Sequence, residues 1–207
     1  MTWRDPDNIL KALALLGAAA AFIAGLLQYQ RAQQWKRAEW VAQEMRELFD
    51  DPLVQAVLLM IDWGERRIPL YPDKAEPERY VSLTNDEIAQ ALMPHDREKA
   101  FTEREVDIRA AFDRFLDGPE RFHSYVETKL VTDEDLWPYL HYWAETIFRE
   151  GGSEDDRLAR LRAYMEKYGY GGARALMKRL AKRSPRNTKD HGRDVREQSP
   201  RRRMRRR

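Results

Sequence analysis

The rhythm of polar and apolar positions changes abruptly along this chain. From Ile9 to Leu27, nineteen residues are apolar or glycine with the single exception of Lys11. At about 1.5 Å of helical rise per residue, that stretch covers roughly the 30 Å hydrocarbon core of a bilayer, enough for one crossing. If the apolar part begins at Ala12, about sixteen residues remain and Lys11 has to snorkel to the interface. Trp3 precedes the stretch and Tyr29, Trp35 and Trp40 follow it, the pattern of interfacial aromatic anchors. A cleaved signal peptide fits less well, because Asp5 and Asp7 stand in its n-region and Leu26-Leu27-Gln28-Tyr29 offers no small-residue cleavage site.

Beyond the span the period becomes that of amphipathic helices. Trp35, Ala38, Val41, Met45 and Leu48 continue one helix up to Phe49-Asp50-Asp51-Pro52. Pro52 suits the first position of a second helix reaching Trp63, so apolar that it is expected to be the central core helix. Gly64 ends it. Arg67 to Leu83, with Pro69, Pro72 and Pro77, reads as loop with two short extended pieces. Asn85 is expected to cap a short helix through Leu92, which Pro94 bounds.

Thr102 and Glu105 form a capping-box pattern that opens a helix with Ile108, Ala111, Phe112 and Phe115 on one face. Gly118-Pro119 is expected to interrupt it, with a second helix continuing through Phe122, Tyr125, Val126 and Leu130. Thr132 and Asp135 start another, carrying Leu136, Leu140, Trp143 and Ile147. After Gly151-Gly152, Ser153 and Asp156 begin a helix with Leu158, Leu161, Met165 and Tyr168 inward. Gly169, Gly171 and Gly172 are expected to stop it before a last helix, Ala173 to Lys182.

This pattern predicts an all-α protein: tail and transmembrane helix over residues 1–30, a small helical-bundle domain over 31–181, and a basic tail over 182–207. Composition sharpens the last boundary. The net charge of +2 hides twelve basic and three acidic residues from Lys182 to Arg207, a tail of +9 that leaves −7 for the rest. With almost no apolar residues, such a tail cannot bury enough surface to fold and is expected to be disordered. Absence of cysteine excludes disulfides, thiolate metal sites and thiol nucleophiles. Arg31, Lys36, Arg37 and Arg46 outnumber Arg4 and Lys11, so the positive-inside rule places the C-terminal part in the cytoplasm and the N-terminus outside.

Candidate chemistry is sparse. Gly17, Ala21 and Gly25 recur every four residues and line one face of the span, a surface on which two helices can approach. Asp62, Arg66, Arg109, Asp113, Glu120 and Arg121 border apolar faces and read either as a polar network that fixes helix packing or as a ligand cleft; Arg109 and Asp113 are one turn apart and can pair. His95, His123, His141 and His191 show no metal-ligand spacing, although His141 and Glu145 share a face. Neither a G-x-S-x-G elbow nor a phosphate-cradling G-x-x-x-x-G-K-[ST] loop occurs, and the glycines after Tyr168 lack a preceding strand. No catalytic residue, metal or cofactor is therefore expected. Arg201, Arg202, Arg203, Arg205, Arg206 and Arg207 suit anionic lipid first and nucleic acid second, since no aromatic residue interleaves them for base stacking.

Four stretches carry a family likeness: M-I-D-W-G-E-R-R-I at Met60 to Ile68, I-R-A-A-F-D-R-F at Ile108 to Phe115, E-R-F at Glu120 to Phe122, and W-P-Y-L-H-Y-W at Trp137 to Trp143. Through them the region from Trp35 to Phe148 resembles an uncharacterised family of small bacterial single-pass membrane proteins with a helical cytosolic domain. The resemblance implies architecture and no activity. Taken together, these features lead to the expectation of a non-enzymatic interaction or assembly module at the bacterial inner membrane, with a protein partner or a second copy of itself. The alternative is a membrane-tethered stress or phage-defence effector acting on nucleic acid or the bilayer.

Overall fold

The computed structural model describes residues 6–63, 65–95, 100–148 and 156–183. Expectations resting on Trp3, Arg4, Asp5, Gly64, Gly151, Gly152, Ser153, His191 or the chain after Arg183, including Arg201–Arg207, lie outside these residues. Among the described residues the chain forms seven helices and one two-stranded hairpin.

Helix α1, Pro6–Asp50, is continuous over 45 residues and runs through the expected boundary at residue 30. Its described side chains from Leu10 to Lys36 are exposed; from there inward Val41, Met45 and Leu48 are buried. Asp51 breaks the helix and caps the next, α2 (Pro52–Trp63), its Oδ1 accepting from Leu53 N–H at 2.9 Å and Val54 N–H at 3.3 Å. The two short extended pieces are strands β1 (Arg66–Ile68) and β2 (Val81–Leu83), antiparallel with Arg66 opposite Leu83.

Helix α3, Asn85–Ala91, starts one residue earlier than its expected cap allows. Thr84, not Asn85, is the N-cap: its hydroxyl accepts from Glu87 N–H at 3.2 Å while the Glu87 carboxylate accepts from Thr84 N–H at 2.8 Å. A carboxylate at the third helical position closes the box only with Thr84 as its partner.

Helix α4, Glu103–Glu127, opens on the expected Thr102 and Glu105 box but does not break at Gly118-Pro119. Proline inside a helix costs about 3 kcal/mol. Here Phe112, Phe115 and Leu116 before the proline and Phe122 after it are all buried on one continuous face, which offsets that cost. Gly118 has its own reason, since a Cβ there would stand 2.7 Å from Leu48 Cδ1, so only glycine lets α1 and α4 come this close. With these side chains α4, rather than α2, holds the largest share of the core.

After Glu127 the chain closes the helix with Leu130 N–H on the Tyr125 carbonyl at 2.9 Å and Lys129 at φ +60°. Leu130 thereby lies beyond the helix expected to include it and is 52% exposed. Helix α5 (Asp133–Phe148) follows, with the Asp135 carboxylate accepting from the Thr132 N–H and hydroxyl, both at 2.8 Å. Leu136, Leu140, Ala144 and Ile147 form its buried stripe, while Trp143 is half-buried. Helix α6 (Asp156–Lys167) ends at Gly169, whose φ of +87° suits glycine. Gly171 and Gly172 do not stop that helix; they are the first residues of α7, Gly171–Lys182.

Helix directions follow from three contacts along α1 and α4. Leu48 meets Gly118, Glu44 pairs with Arg121 at 3.5 Å, and the Trp40 and Tyr125 rings meet edge-on at 5.0 Å, so the two helices are antiparallel. Helix α7 runs parallel to α4, with Gly172 beside Glu120 and Arg179 beside Glu127. The described chain therefore ends at the same end of the domain where α1 enters it.

Candidate functional site

The apolar part of α1 is the first candidate. Leu10, Leu13, Leu15, Leu16, Phe22 and Ile23 are 57–76% exposed, and no part of this stretch is buried against the domain. Such a length of uncovered apolar helix has no favourable solvent in water. A core helix of this domain would be covered by it, so the structure separates this segment from the core. Its small-residue face is open as well, since a Cβ at Gly17 or Gly25 would meet nothing within 4 Å.

The six charged residues marked in the sequence fall in several places. At the end of α2, Asp62 accepts a hydrogen bond from the Tyr142 hydroxyl, and the Arg66 guanidinium lies 5.2 Å from the Trp63 ring centre. Arg121 sits over Phe122 and pairs with Glu44. Arg109 and Asp113 are brought together, yet through a third residue. Arg109 lies 4.8 Å from the Tyr164 ring centre, and the Tyr164 hydroxyl donates to Asp113 at 2.6 Å. Tyr170 donates to the same carboxylate at 3.0 Å.

Glu120 has a different task. Its carboxylate accepts from Gly172 N–H at 3.2 Å and Ala173 N–H at 2.6 Å, the uncapped start of α7. Tyr170 at the N-cap position makes no capping hydrogen bond with its side chain, so a glutamate on another helix supplies both the acceptor and the negative charge that the helix dipole favours. A Cβ at residue 172 would stand 2.6 Å from Glu120 Oε1, so a larger residue there would push the carboxylate out of this contact.

Arginines do the converse at helix C-termini. Arg109 donates to the Ala91 and Met93 carbonyls at 2.8 and 2.9 Å, closing α3. Two residues not marked in the sequence repeat the device: Arg157, 7% exposed, donates to the Met60 carbonyl of α2, and Arg162 to the Ile147 carbonyl of α5 at 2.6 Å. A signal for both was present. Arg157 lies four residues before Leu161 and Arg162 four after Leu158, which puts each arginine on the apolar stripe of α6.

Titration follows this wiring. Burial pushes Tyr164 and Tyr170 well above the ordinary phenol range, and the Asp113 carboxylate adds to it. Tyr168 moves the other way: burial raises it, but the His95 N–H and Arg109 outweigh that and bring it below its ordinary value. The Tyr164, Tyr170, Asp113 and Arg109 side chains thus hold each other in place, while a small polar pocket of about 140 Å³ opens elsewhere between Glu47, Asp51, Arg114, Asp117 and Arg121.

A second candidate lies at the entry end of the domain. A groove of about 380 Å³ is lined by Gln33, Gln34, Lys36, Arg37, Trp40 and Leu130. Beside it the acidic first turn of α5 is neutralised residue by residue. Asp133 receives two hydrogen bonds from Arg179 at 3.1 and 3.2 Å, Glu134 pairs with Arg183, and Asp135 lies 3.0 Å from Arg37 Nε. Lys36, Lys129 and Lys182 at this end are exposed.

Among the described residues no group of three or more histidine or acidic side chains is placed to hold a metal ion. The His141 ring stacks on Trp137 at 4.2 Å, and its Nδ1 lies 2.9 Å from the Trp137 carbonyl, which makes Nδ1 the protonated nitrogen. No family model, curated protein or solved structure matches the chain, so the four-stretch likeness gains no support from these comparisons.

Proposed function

We propose that this chain is a single-pass protein of the bacterial inner membrane whose helical cytosolic domain is a non-enzymatic interaction or assembly module. The observation that carries the reading is the apolar stretch from Leu10 to Leu27, uncovered along its length on a helix whose other end is embedded in the core. One rigid element thus joins bilayer and domain. The charged clusters support a structural rather than a catalytic role, since they cap helices and pair across helix joints. The Lys and Arg excess after the span supports an external N-terminus and a cytoplasmic domain.

Self-assembly would use the open Gly17, Ala21 and Gly25 face. The experiment is crosslinking of the full chain in native membranes, after carbonate extraction has established integral insertion. Leucine at all three positions is expected to abolish the dimer band while the protein stays in the carbonate-resistant fraction. An unchanged dimer yield would refute assembly through this face, and release by carbonate would refute the membrane reading itself.

A further inference from the structure

We infer that the end of the domain facing the span is a contact surface for anionic phospholipid headgroups, formed by Lys36, Lys129 and Lys182 around the groove beside Leu130. The inference rests on the membrane reading of α1 and adds what the domain does against the leaflet.

Position comes first. The antiparallel register of α1 and α4 brings the turn after α4 level with Trp35 and Lys36, which is why Leu130 shares a groove with Gln33 and Lys36. Lys36 is nine residues beyond Leu27, about 14 Å along the helix. The headgroup layer takes up roughly 6 Å of that height. What remains is within one Debye length of about 8 Å at physiological salt, and lysine stems reach back toward the surface.

Charge comes second. Acidic side chains would repel an anionic leaflet, but those of the α5 first turn are each paired with Arg179, Arg183 or Arg37. Glu127 at this end faces Arg179 at 3.9 Å and His123 at 3.5 Å, so Lys36, Lys129 and Lys182 stand against the exposed Glu39 and leave the face net positive. The partly apolar groove has Gln33 and Gln34 as amide donors and Leu130 at its rim, a chemistry that suits a glycerophosphate headgroup with its first methylenes. The last described residue, Arg183, is also at this end and is held on Glu134. Free nucleic acid would have to approach between this face and the bilayer.

Because the chain has no cysteine, a single Thr128→Cys carries a fluorophore next to this surface. The full chain is reconstituted into vesicles of phosphatidylcholine alone or with about 30 mol% phosphatidylglycerol, each with a headgroup-level quencher lipid. Quenching is expected to be about two-fold greater with phosphatidylglycerol, to fall toward the phosphatidylcholine value in roughly 0.5 M salt, and to lose its lipid dependence in the Lys36→Glu, Lys129→Glu, Lys182→Glu variant. Deleting residues 201–207 is expected to leave part of the difference. Equal quenching in both vesicles, with insertion intact by carbonate extraction, would overturn the inference and leave the anchor standing. Complete loss on tail deletion would overturn it in favour of the tail alone, and lysine-dependent capture of a DNA duplex without lipid dependence would overturn it in favour of nucleic acid. Failure of insertion would remove the anchor and this inference together.

Discussion

Replacing Glu120 by alanine tests whether one side chain on α4 holds the start of α7. The carboxylate accepts two hydrogen bonds, at 3.2 and 2.6 Å, from N–H groups that α7 cannot satisfy by itself. A lost N-cap costs about 1 kcal/mol, and the charge at the positive end of the helix adds roughly 0.5–1 kcal/mol in a partly buried setting. Leaving two N–H groups short of an acceptor raises the total to about 2–3 kcal/mol. For a domain of this size that corresponds to a fall in Tm of about 5–10 °C. Glu120→Gln keeps one acceptor oxygen and loses the charge, so about half the effect is expected. The assay is thermal unfolding of the full chain in detergent micelles, followed by near-ultraviolet circular dichroism, with the exposed Glu127→Ala as control. Gly172→Ala should reproduce the loss independently, because its Cβ would stand 2.6 Å from Glu120 Oε1 and 2.7 Å from His123 Nδ1. A Tm for Glu120→Ala within about 1 °C of the parent would refute the capping argument.

The other predictions follow the same logic. Burial pushes the Asp51 carboxyl up, but Arg114 and the Val54 and Leu53 N–H groups outweigh it and hold it below the usual carboxylate range. The Thr84 N–H does the same for Glu87, and Arg183 for Glu134. A depressed folded pKa gives stability that is present above the unfolded carboxylate range and lost as pH falls through the folded value. Urea midpoints should therefore drop on acidification below about pH 4, less steeply in Asp51→Asn, and an identical pH slope in that variant would exclude Asp51 as a contributor. Arg157→Ala should cost about 2–4 kcal/mol, because it opens a cavity and strips a buried carbonyl of its donor, while Arg157→Met should recover the packing part only. Equal denaturation midpoints for the two variants would show that the hydrogen bond to Met60 carries all of the effect.

Much of the local structure was legible from spacing alone. The Thr102 and Glu105 box, the Thr132 and Asp135 start, the buried stripe of α5 and the apolar length of α1 all depend on residues within a few positions of each other. Periodicity of that kind reports which face is turned inward, and it cannot report what that face meets. The failures have this origin. Gly118-Pro119 looked like a break because local propensity says so, whereas Leu48, seventy residues earlier, needs the glycine and the shared phenylalanine face keeps the helix whole. Glu120 looked like part of a cleft until α7, more than fifty residues later, delivered two unpaired N–H groups to it. The sequence by itself determined most helix starts, the apolar length of α1 and the sign of the tail, because hydrophobic period, length and charge are short-range properties. Only the tertiary structure decided which charges cap which helix ends and that the described chain ends on the side where α1 enters, because both depend on a register set by packing between distant segments.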